Sequence, residues 1–331
     1  MHVNAFSNLL VTILVGTQGM VEASDSAPWP CAGNQPANAI GNYYNQYWNY
    51  ADEVFDLTRS DLMNVTEPIT ITDMLGSRKT AVIEPSRSAL VIIDMQNYFL
   101  HPALAPDATA GRAIVNTTIK MVQLFRKAKM KTLWVNWGID DGDLTTMPPS
   151  LLADFSNGTN QMSRSFGSDL GQSDGIEFGR LLWRGAWNSQ SYGPLEPLRI
   201  AGEKAGTDLL FHKNRQSGLW GAQTPLGLWL QENRVTTLFL GGVNIDQCVW
   251  GTLLDGFYKG YDVFLVPDIS ATDSPDYASQ MVYYNTDSRG FLANSSQIIE
   301  GIKCNRPLAV QDEFDNRKVC LTYQPNELQE V

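Results

Sequence analysis

The sequence predicts an α/β fold in which helices cover both faces of a parallel β-sheet. Short apolar runs, such as ALVIID at 89–94, alternate along the chain with amphipathic segments. Continuous apolar runs are typical of strands that are buried on both faces of a sheet. Alternating strands and helices favour right-handed βαβ units and a parallel sheet. The 331 residues, 43% of them hydrophobic, suffice for one large domain or for two small ones.

The individual elements follow from the apolar runs and from the signals at their ends. We predict strands at 89–94, 132–136, 207–212, 236–242 and 261–267. We predict helices at about 111–129, 225–233, 245–259 and 275–290, and a last short element near 297–302. Thr224 and Pro225 begin the second of these helices, because Thr is a favoured N-cap and Pro is favoured at the first helical position.

The interval 138–206 shows little regular pattern and is rich in Gly, Ser, Asn and Trp. Loops of this length inside a compact domain are usually lids or binding loops. We therefore expect the segment 181–198 to form part of the wall of a substrate pocket.

Both ends of the chain depart from the alternating pattern. A short apolar core at 9–16 (LLVTILVG) predicts an export signal, with a frayed N-terminal segment as the alternative. The segment 24–50 is rich in Asn, Pro and aromatic residues, and we expect it to wrap on a surface. The predicted organisation is a signal peptide at 1–23, an N-terminal extension at 24–85, a main α/β domain at 86–303 and a C-terminal tail at 304–331.

Other features fit a secreted and glycosylated protein. N-x-S/T sequons occur at Asn64, Asn116, Asn157 and Asn294. Cys304 and Cys320 flank a charged segment and are predicted to form a disulfide in an oxidising compartment, whereas the pairing state of Cys31 stays open. The net charge of −11 argues against nucleic acid and anionic membranes as partners.

Cys248 is the first candidate for chemistry. It follows the fourth predicted strand and a glycine pair in GGVNIDQC, which places its thiol in the first turn of a helix. The positive end of a helix dipole stabilises a thiolate, and the free N–H groups of that turn can hold an oxyanion. The alternative is a small buried apolar residue, which is the usual role of a cysteine.

Asp94 and Lys213 are the candidates for a partner of this thiol. Asp94 ends the first predicted strand, where a carboxylate is costly without a task or a partner; a turn cap is the alternative. His212 and Lys213 are neighbours on a strand and face opposite sides of the sheet, so only one of them can face the site. Lys213 would keep Asp94 ionised and lower the pKa of the thiol, whereas the alternative is a surface lysine.

The segments ALVIIDMQNYF, HKNRQSGLWGAQTPL and FLGGVNIDQCVWGTLLDGFYKGYDVFLVPDISAT strongly resemble the isochorismatase-like cysteine hydrolases. The stretch RLLWRGAWNSQSYGPLEPL also looks like the branch that contains the ureidoacrylate amidohydrolases. The resemblance covers about residues 86–303 and implies a three-layer α/β/α sandwich around a parallel sheet. Together with the export features it suggests a secreted member of fungal type, with a role in secondary metabolism as one option.

The resemblance also implies a mechanism. The catalytic triad of the family falls on Cys248, Asp94 and Lys213, and a cis peptide is expected between Val243 and Asn244. The N–H groups of Asn244 and Cys248 would hold the oxyanion while a small amide, ureide or lactam is hydrolysed at its C–N bond through a thioester. Five residues near these motifs are expected to line the substrate pocket: Gln96, Phe99, Trp137, Trp220 and Gln247.

Two departures from related families narrow this expectation. Nicotinamidases carry paired histidines after the second strand, but here the region reads WVNWGIDDGD, so we expect no catalytic metal and no cofactor. Asp140, Asp141 and Asp143 could still attract a cation as exposed carboxylates. True isochorismatases generally lack the cysteine, so Cys248 favours C–N hydrolysis over cleavage of a vinyl ether.

Two alternatives stay open at this point. One is an exported vinyl ether hydrolase of the isochorismate type or a tailoring hydrolase for a secondary metabolite. The other is a non-catalytic secreted binding protein on the same fold. The expected partner is a small-molecule substrate, and a homo-oligomer is allowed, with the aromatic N-terminal extension as an interface or as the cover of a sheet edge.

Overall fold

The computed structural model describes residues 39–42, 46–60, 62–156 and 161–304. The predicted signal peptide, Cys31, Asn157, Cys320 and nearly all of the predicted tail lie outside the described residues. None of the helices in the described ranges combines the length and the apolar character that a membrane span needs.

The strands are β1 (Ala39–Asn42), β2 (Gln46–Ala51), β3 (Val54–Asp56), β4 (Ile69–Ile71), β5 (Thr80–Ile83), β6 (Ser88–Ile93), β7 (Lys131–Trp137), β8 (Gln172–Ser173), β9 (Ile176–Glu177), β10 (Asp208–Lys213), β11 (Thr237–Val243), β12 (Asp262–Ala271) and β13 (Phe291–Leu292). The helices are α1 (Asn97–Leu100), α2 (Thr109–Ala113), α3 (Val115–Lys127), α4 (Asp141–Thr146), α5 (Pro149–Asp154), α6 (Leu195–Ala205), α7 (Pro225–Glu232), α8 (Trp250–Tyr258), α9 (Asp276–Arg289) and α10 (Ser295–Cys304). A π-helix (Ile245–Val249) precedes α8, and 3-10 turns occur at Pro85–Arg87, Met162–Arg164 and Trp187–Ser189.

A six-stranded parallel sheet with the order β10-β7-β6-β11-β12-β13 forms the centre of the molecule. Alternate residues of β6 belong to different core clusters, with Leu90 on one face and Val91 on the other. One face packs on α3, α6 and α10, and the other packs on α7, α8 and α9. The predicted three-layer α/β/α fold is therefore confirmed.

The observed elements refine several of the predicted bounds. The predicted helix at 111–129 is divided into α2 and α3 at Ile114. The helix predicted from 245 begins as a π-helix, and β12 continues four residues beyond the predicted strand, to Ala271. The interval 138–206, which looked irregular in the sequence, contains the regular helix α6.

The N-terminal extension is more ordered than the sequence indicated. Instead of only wrapping on a surface, it forms a five-stranded mixed sheet with the order β1-β2-β3-β5-β4. Trp48 of β2 packs against the main core cluster, and its indole N–H donates to Asp262 Oδ1 at 2.6 Å. The N-terminal sheet is thereby fixed to the start of β12 in the central sheet.

Candidate active site

Three chemical groups meet at the carboxyl ends of neighbouring strands. Asp94 directly follows β6, Lys213 is the last residue of β10, and Cys248 lies in the π-helix that follows β11. The carboxyl edge of an open parallel sheet is where such folds usually bind ligands. The strand order therefore assembles residues that are far apart in the sequence.

The Lys213 ammonium lies between the two acidic groups. Its Nζ is 2.9 Å from Asp94 Oδ2 and donates to Cys248 Sγ at 3.5 Å. Its remaining partner is the carbonyl oxygen of Arg215 at 3.2 Å. Asp94 is fully buried and both other side chains are 4% exposed, so this cluster is screened from water and its electrostatic interactions are strong.

Asp94 is held in an unusual backbone conformation. Its φ of 51° lies in the left-handed region, which residues other than glycine seldom adopt and which clusters at functional sites. Its Oδ1 accepts from the backbone N–H of Trp137 at 3.0 Å. Burial raises the pKa of Asp94, whereas the Lys213 ammonium and the hydrogen bonds to the carboxylate act in the opposite direction.

The environment of Cys248 keeps its thiol protonated. The pKa of this thiol is raised to about 12, chiefly by burial; the Lys213 ammonium lowers it, and the Asp94 carboxylate adds to the rise. The sequence predicted correctly that Lys213 lowers the pKa of the thiol. The net shift of that pKa is nevertheless upward, because the loss of hydration on burial outweighs one nearby cation. The raised pKa therefore favours the neutral thiol over the thiolate at neutral pH.

Trp137 forms the wall of this cluster. It is fully buried, and Lys213 Nζ lies 3.7 Å from the centroid of its ring, which is a close cation–π contact. Its indole N–H lowers the pKa of the Cys248 thiol. Within the described ranges, however, this N–H has no acceptor at a hydrogen-bonding geometry. We therefore treat that N–H as a nearby dipole rather than as a bonded donor.

Gln96 is placed in the scaffold of the site. Its Nε2 donates to the carbonyls of Trp137 and Ser189, both at 2.8 Å, and its Oε1 accepts from Trp137 N–H at 3.0 Å. The side chain is fully buried. Because backbone groups occupy its amide, Gln96 fastens the end of β7 to the loop at Ser189, and its contact with substrate stays a prediction.

The other predicted pocket residues differ in exposure. Phe99 is half-buried and meets the ring of Tyr98 edge-on, with a centroid distance of 5.0 Å. Trp220 is 38% exposed and donates from Nε1 to Asn214 Oδ1 at 3.0 Å. Gln247 is exposed and directly precedes the nucleophile in the sequence. These three side chains retain surface that a small molecule can contact.

The turn before Cys248 contains the peptide that the resemblance singled out. The bond between Val243 and Asn244 is cis in the structure. The carbonyl of Asn244 accepts from the N–H groups of Gln247 at 3.1 Å and Val249 at 3.2 Å, so the chain curls directly into the π-helix. Asn244 itself is half-buried.

The two described histidines lie away from the thiol. The ring of His212 packs against Gly138, where an added side chain would collide with it, and its pKa is lowered by burial and by nearby arginines. Because Lys213 faces Cys248, its strand neighbour His212 faces the other side. The ring of His101 meets Trp187 edge-on at a centroid distance of 4.8 Å.

The carboxylates after β7 are bound to arginines. Asp140 and Asp143 form a capping box at the start of α4. Arg184 pairs with Asp140 at 2.8 Å and with Asp143 at 3.1 Å, and Arg180 lies 3.5 Å from Asp141. Within the described part of the chain, no group of three or more His, Cys, Asp or Glu side chains could hold a metal ion.

A support network beside Lys213 was not predicted. Asn214 Nδ2 donates to Asp143 Oδ1 at 2.6 Å, and Arg215 Nη2 donates to the Thr146 carbonyl at 2.7 Å. The network ties the chain after Lys213 to α4. Its only sequence signal was the position of Asn214 and Arg215 directly after Lys213.

A cleft of about 510 Å³ lies at the opposite edge of the central sheet. It is lined by residues that precede β11 and β12, including Arg234, Thr236 and Tyr261, together with Arg59. Its walls contain none of the triad residues. Its lining residues include no cysteine, histidine or carboxylate, so the acidic groups that the sequence singled out lie elsewhere.

The remaining predicted sites are distributed over the surface. Asn64 and Asn116 are exposed, whereas Asn294 is half-buried. Cys304 is disulfide-bonded, and its predicted partner Cys320 lies outside the described residues, so this pairing stays a prediction.

Comparisons with known proteins agree with this architecture. A family profile described as "Isochorismatase domain" matches residues 88–289. The ureidoacrylate amidohydrolase of Klebsiella pneumoniae is 26% identical over 235 residues, which are 69% of this chain and 92% of that protein. The enzyme of the same name from Klebsiella variicola gives the same values. A solved cysteine hydrolase from Pseudomonas syringae pv. phaseolicola, 21% identical, covers 68% of this chain and 96% of its own, with a TM-score of 0.51, which shows a shared fold.

Proposed function

The chain belongs to the isochorismatase family, and from this premise we propose that it is a cysteine hydrolase that cleaves the C–N bond of a small amide, ureide or lactam. The observation that carries the proposal is the contact of one ammonium, Lys213 Nζ, with both Asp94 and Cys248. A nucleophile, a base and an orienting cation in contact are what nucleophilic catalysis requires. The curated relatives described as ureidoacrylate amidohydrolases support the C–N bond as the target.

The first half-reaction forms a thioester. The Asp94 carboxylate takes the proton of the Cys248 thiol while sulfur attacks the carbonyl carbon of the substrate. The C–S bond forms, the carbonyl oxygen becomes an oxyanion, and the N–H groups of Asn244 and Cys248 are the proposed donors to it. Asp94 then gives its proton to the nitrogen, and the C–N bond breaks.

The second half-reaction releases the acid. The Asp94 carboxylate takes a proton from water as the water oxygen attacks the thioester carbon. The C–S bond breaks, and the departing sulfur recovers the proton from Asp94. Burial raises the pKa of Asp94, so its protonated form is more easily populated than that of a surface aspartate, which suits a group that carries a proton between steps. The Nζ of Lys213 lies beside both acidic groups, Asp94 and Cys248.

The experiment is a hydrolysis assay on primary amides, ureides and lactams, with ammonia or acid release as the signal. We expect release by the natural chain and a loss of at least about 100-fold in Cys248→Ala, with trapping of a covalent adduct on Cys248 after rapid acid quench. The control is Trp250→Phe, which changes a helix residue after the π-helix. Turnover that persists in Cys248→Ala would overturn the cysteine mechanism.

Export and glycosylation form a separate proposal that rests on the sequence. Asn64 and Asn116 are exposed and could carry glycans without disturbing the core. Secretion from a eukaryotic host should give a protein whose mass falls on enzymatic deglycosylation, with a smaller fall for Asn64→Gln. An unmodified protein retained in the cell would refute the proposal.

A further inference from the structure

The cleft at the amino edge of the central sheet is bounded by segments that are far apart in the sequence. The N-terminal extension contributes Arg59 and Leu62, the turn after α7 contributes Arg234, and the turn between α8 and β12 contributes Lys259 and Tyr261. Its volume of about 510 Å³ lies within the range of roughly 300–1,000 Å³ that is typical of sites for small molecules. The cleft is therefore large enough to hold a small organic ligand.

Arg59 brings a buried donor without an acceptor to this cleft. Its side chain is 2% exposed, both Nη1 and Nη2 contact the Asp262 carboxylate, and Nη1 also donates to the Leu57 carbonyl at 2.6 Å. Its Nε is buried and has no hydrogen-bond partner in the part of the chain that the structure describes. A buried donor that stays unpaired is costly. Because Arg59 lines the cleft, an oxygen of a bound molecule can supply the acceptor.

Arg234 places an exposed positive charge at the same cleft. It follows the end of α7 by two residues. None of the ion pairs among the described residues includes Arg234. Its guanidinium thus keeps the planar set of donors that pairs with a carboxylate or a phosphate.

Lys259 adds a second cation whose partners are neutral. Its Nζ donates to the carbonyls of Gly221 at 2.7 Å and Ala222 at 3.3 Å, and it belongs to none of the ion pairs within the described ranges. No Asp or Glu is among the described residues that line the cleft. In a chain with a net charge of −11, two uncompensated cations at one cleft create a local field that attracts an anion.

Apolar side chains form the rest of the wall. Leu62 is 38% exposed, Met63 and Tyr261 are half-buried, and Val235 lies at the base of the same turn as Arg234. The exposed apolar surface of Leu62 gains free energy when a ligand removes it from water. Sites for organic ligands usually combine such a wall with a few polar groups that fix the orientation of the ligand.

We propose that this cleft is a binding site for a small organic anion, in which Arg234 and Lys259 hold the oxyanion group and Leu62 packs on an apolar body. A carboxylate and a phosphate ester share this chemistry. The site lies at the edge of the sheet opposite to the triad, so binding there does not depend on hydrolysis.

The test is calorimetric titration of the natural chain with four probes. Phenyl phosphate and phenylacetate carry an aromatic ring with either anionic group, 2-phenylethanol carries the ring without a charge, and inorganic phosphate is a head group without a body. We expect at least one of the two organic anions to bind about 10-fold more tightly than both 2-phenylethanol and inorganic phosphate. The tighter of the two organic anions identifies the ligand as a phosphate ester or as a carboxylate.

Substitutions in the cleft locate the binding. Arg234→Asn removes the guanidinium and suits the left-handed φ of 53° at this position, so the protein should fold normally. It should weaken binding of the organic anion by about 10-fold or more, and Lys259→Gln should also weaken it. Because the cleft and the triad lie at opposite edges of the sheet, a loss in both variants places the anion in the cleft. Thermal melting checks that each variant is folded.

Lys204→Gln is the matched control, because it removes one positive charge from an exposed position of α6 that does not line the cleft. It should leave the affinity for the anion within about twofold. The inference is overturned if neither organic anion binds, or if 2-phenylethanol or inorganic phosphate binds as tightly as they do. Unchanged affinity in Arg234→Asn and Lys259→Gln would also overturn it, since the anion would then bind elsewhere.

Discussion

At the scale of single residues, the protonation state of Cys248 determines how the reaction starts. Many reactive cysteines are thiolates at rest because a cation or a helix dipole lowers their pKa. Here burial raises the pKa of the thiol to about 12 despite the adjacent Lys213. In the proposed mechanism Asp94 then acts as a true base during attack, and we expect the thiol to react only slowly with other solutes.

This environment predicts slow and strongly pH-dependent alkylation of Cys248. Below a pKa of about 12 the thiolate fraction rises about tenfold per pH unit, so the rate with iodoacetamide should climb steadily from pH 7 to pH 10. Mass spectrometry assigns the modified residue. Lys213→Met removes the cation that lowers the thiol pKa and should slow the reaction at every pH. A plateau near pH 7 would contradict this prediction.

The backbone of Asp94 permits a clean test of its role as the base. Asn tolerates the left-handed φ of 51° better than most residues and preserves the shape of the side chain. Asp94→Asn should therefore fold normally but lower kcat by about 10²- to 10⁴-fold, the usual contribution of a general base. Asp94→Ala should lose activity and also melt at a lower temperature. Full activity of a folded Asp94→Asn would disprove the assignment.

At the scale of elements, strands that are buried on both faces of the sheet are the ones that the sequence predicts. Strands β6 and β11 were predictable because every one of their residues is buried, which produces a continuous apolar run. The strands of the N-terminal sheet were missed, because β2 reads QYWNYA and mixes polar with aromatic residues. Helix α6 was missed because its segment is interrupted by Pro and Gly.

The close parallel pairing of β6 with β11 depends on a glycine. Gly242 pairs with Ile93, has a φ of 127°, and an added Cβ would lie 2.0 Å from the Ile93 carbonyl oxygen. Gly242→Ala should therefore lower the melting temperature by several degrees and reduce activity, because Asp94 directly follows Ile93. Circular dichroism measures the melting, and the hydrolysis assay measures the activity.

Gly251→Ala is the control for that substitution. Gly251 lies in α8, and its nearest contact for an added Cβ is the Ser217 side chain at 3.6 Å, an ordinary van der Waals distance. Alanine is the better helix former, so stability should stay equal or rise by about 0.4–1 kcal/mol. Equal melting of both variants would mean that β6 and β11 can separate without cost.

At the scale of the whole molecule, the position of the site was predictable but its electrostatics were not. Asp94, Lys213 and Cys248 could be grouped because each follows a strand, and parallel strands end at one edge. The upward shift of the Cys248 pKa depends on burial in a core cluster whose members, such as Leu133 and Ile139, are distant in sequence, and no local pattern reports that burial. The ties from Asn214 and Arg215 to α4 are equally non-local.

A buried carboxylate links the N-terminal sheet to the central sheet. Asp262, at the start of β12, accepts from Trp48 Nε1 at 2.6 Å, from Arg59 Nη2 at 2.8 Å and from Thr237 Oγ1 at 3.0 Å, and it also pairs with Arg59 Nη1. Its side chain is 1% exposed and that of Arg59 is 2% exposed. Removing one partner of such a pair leaves the other charge buried without compensation.

Asp262→Asn should therefore destabilise the whole molecule by about 3–5 kcal/mol, since the charge of Arg59 is left unpaired in the interior. Urea denaturation followed by tryptophan fluorescence measures the change. The matched control is Asp141→Asn, whose carboxylate is 87% exposed and 3.5 Å from Arg180, and whose loss should cost less than about 1 kcal/mol. If the two variants unfold at the same urea concentration, the buried pair does not stabilise the joined sheets, and other contacts, such as those of Arg78 with the carbonyls of Gly290 and Ser288, hold the N-terminal sheet.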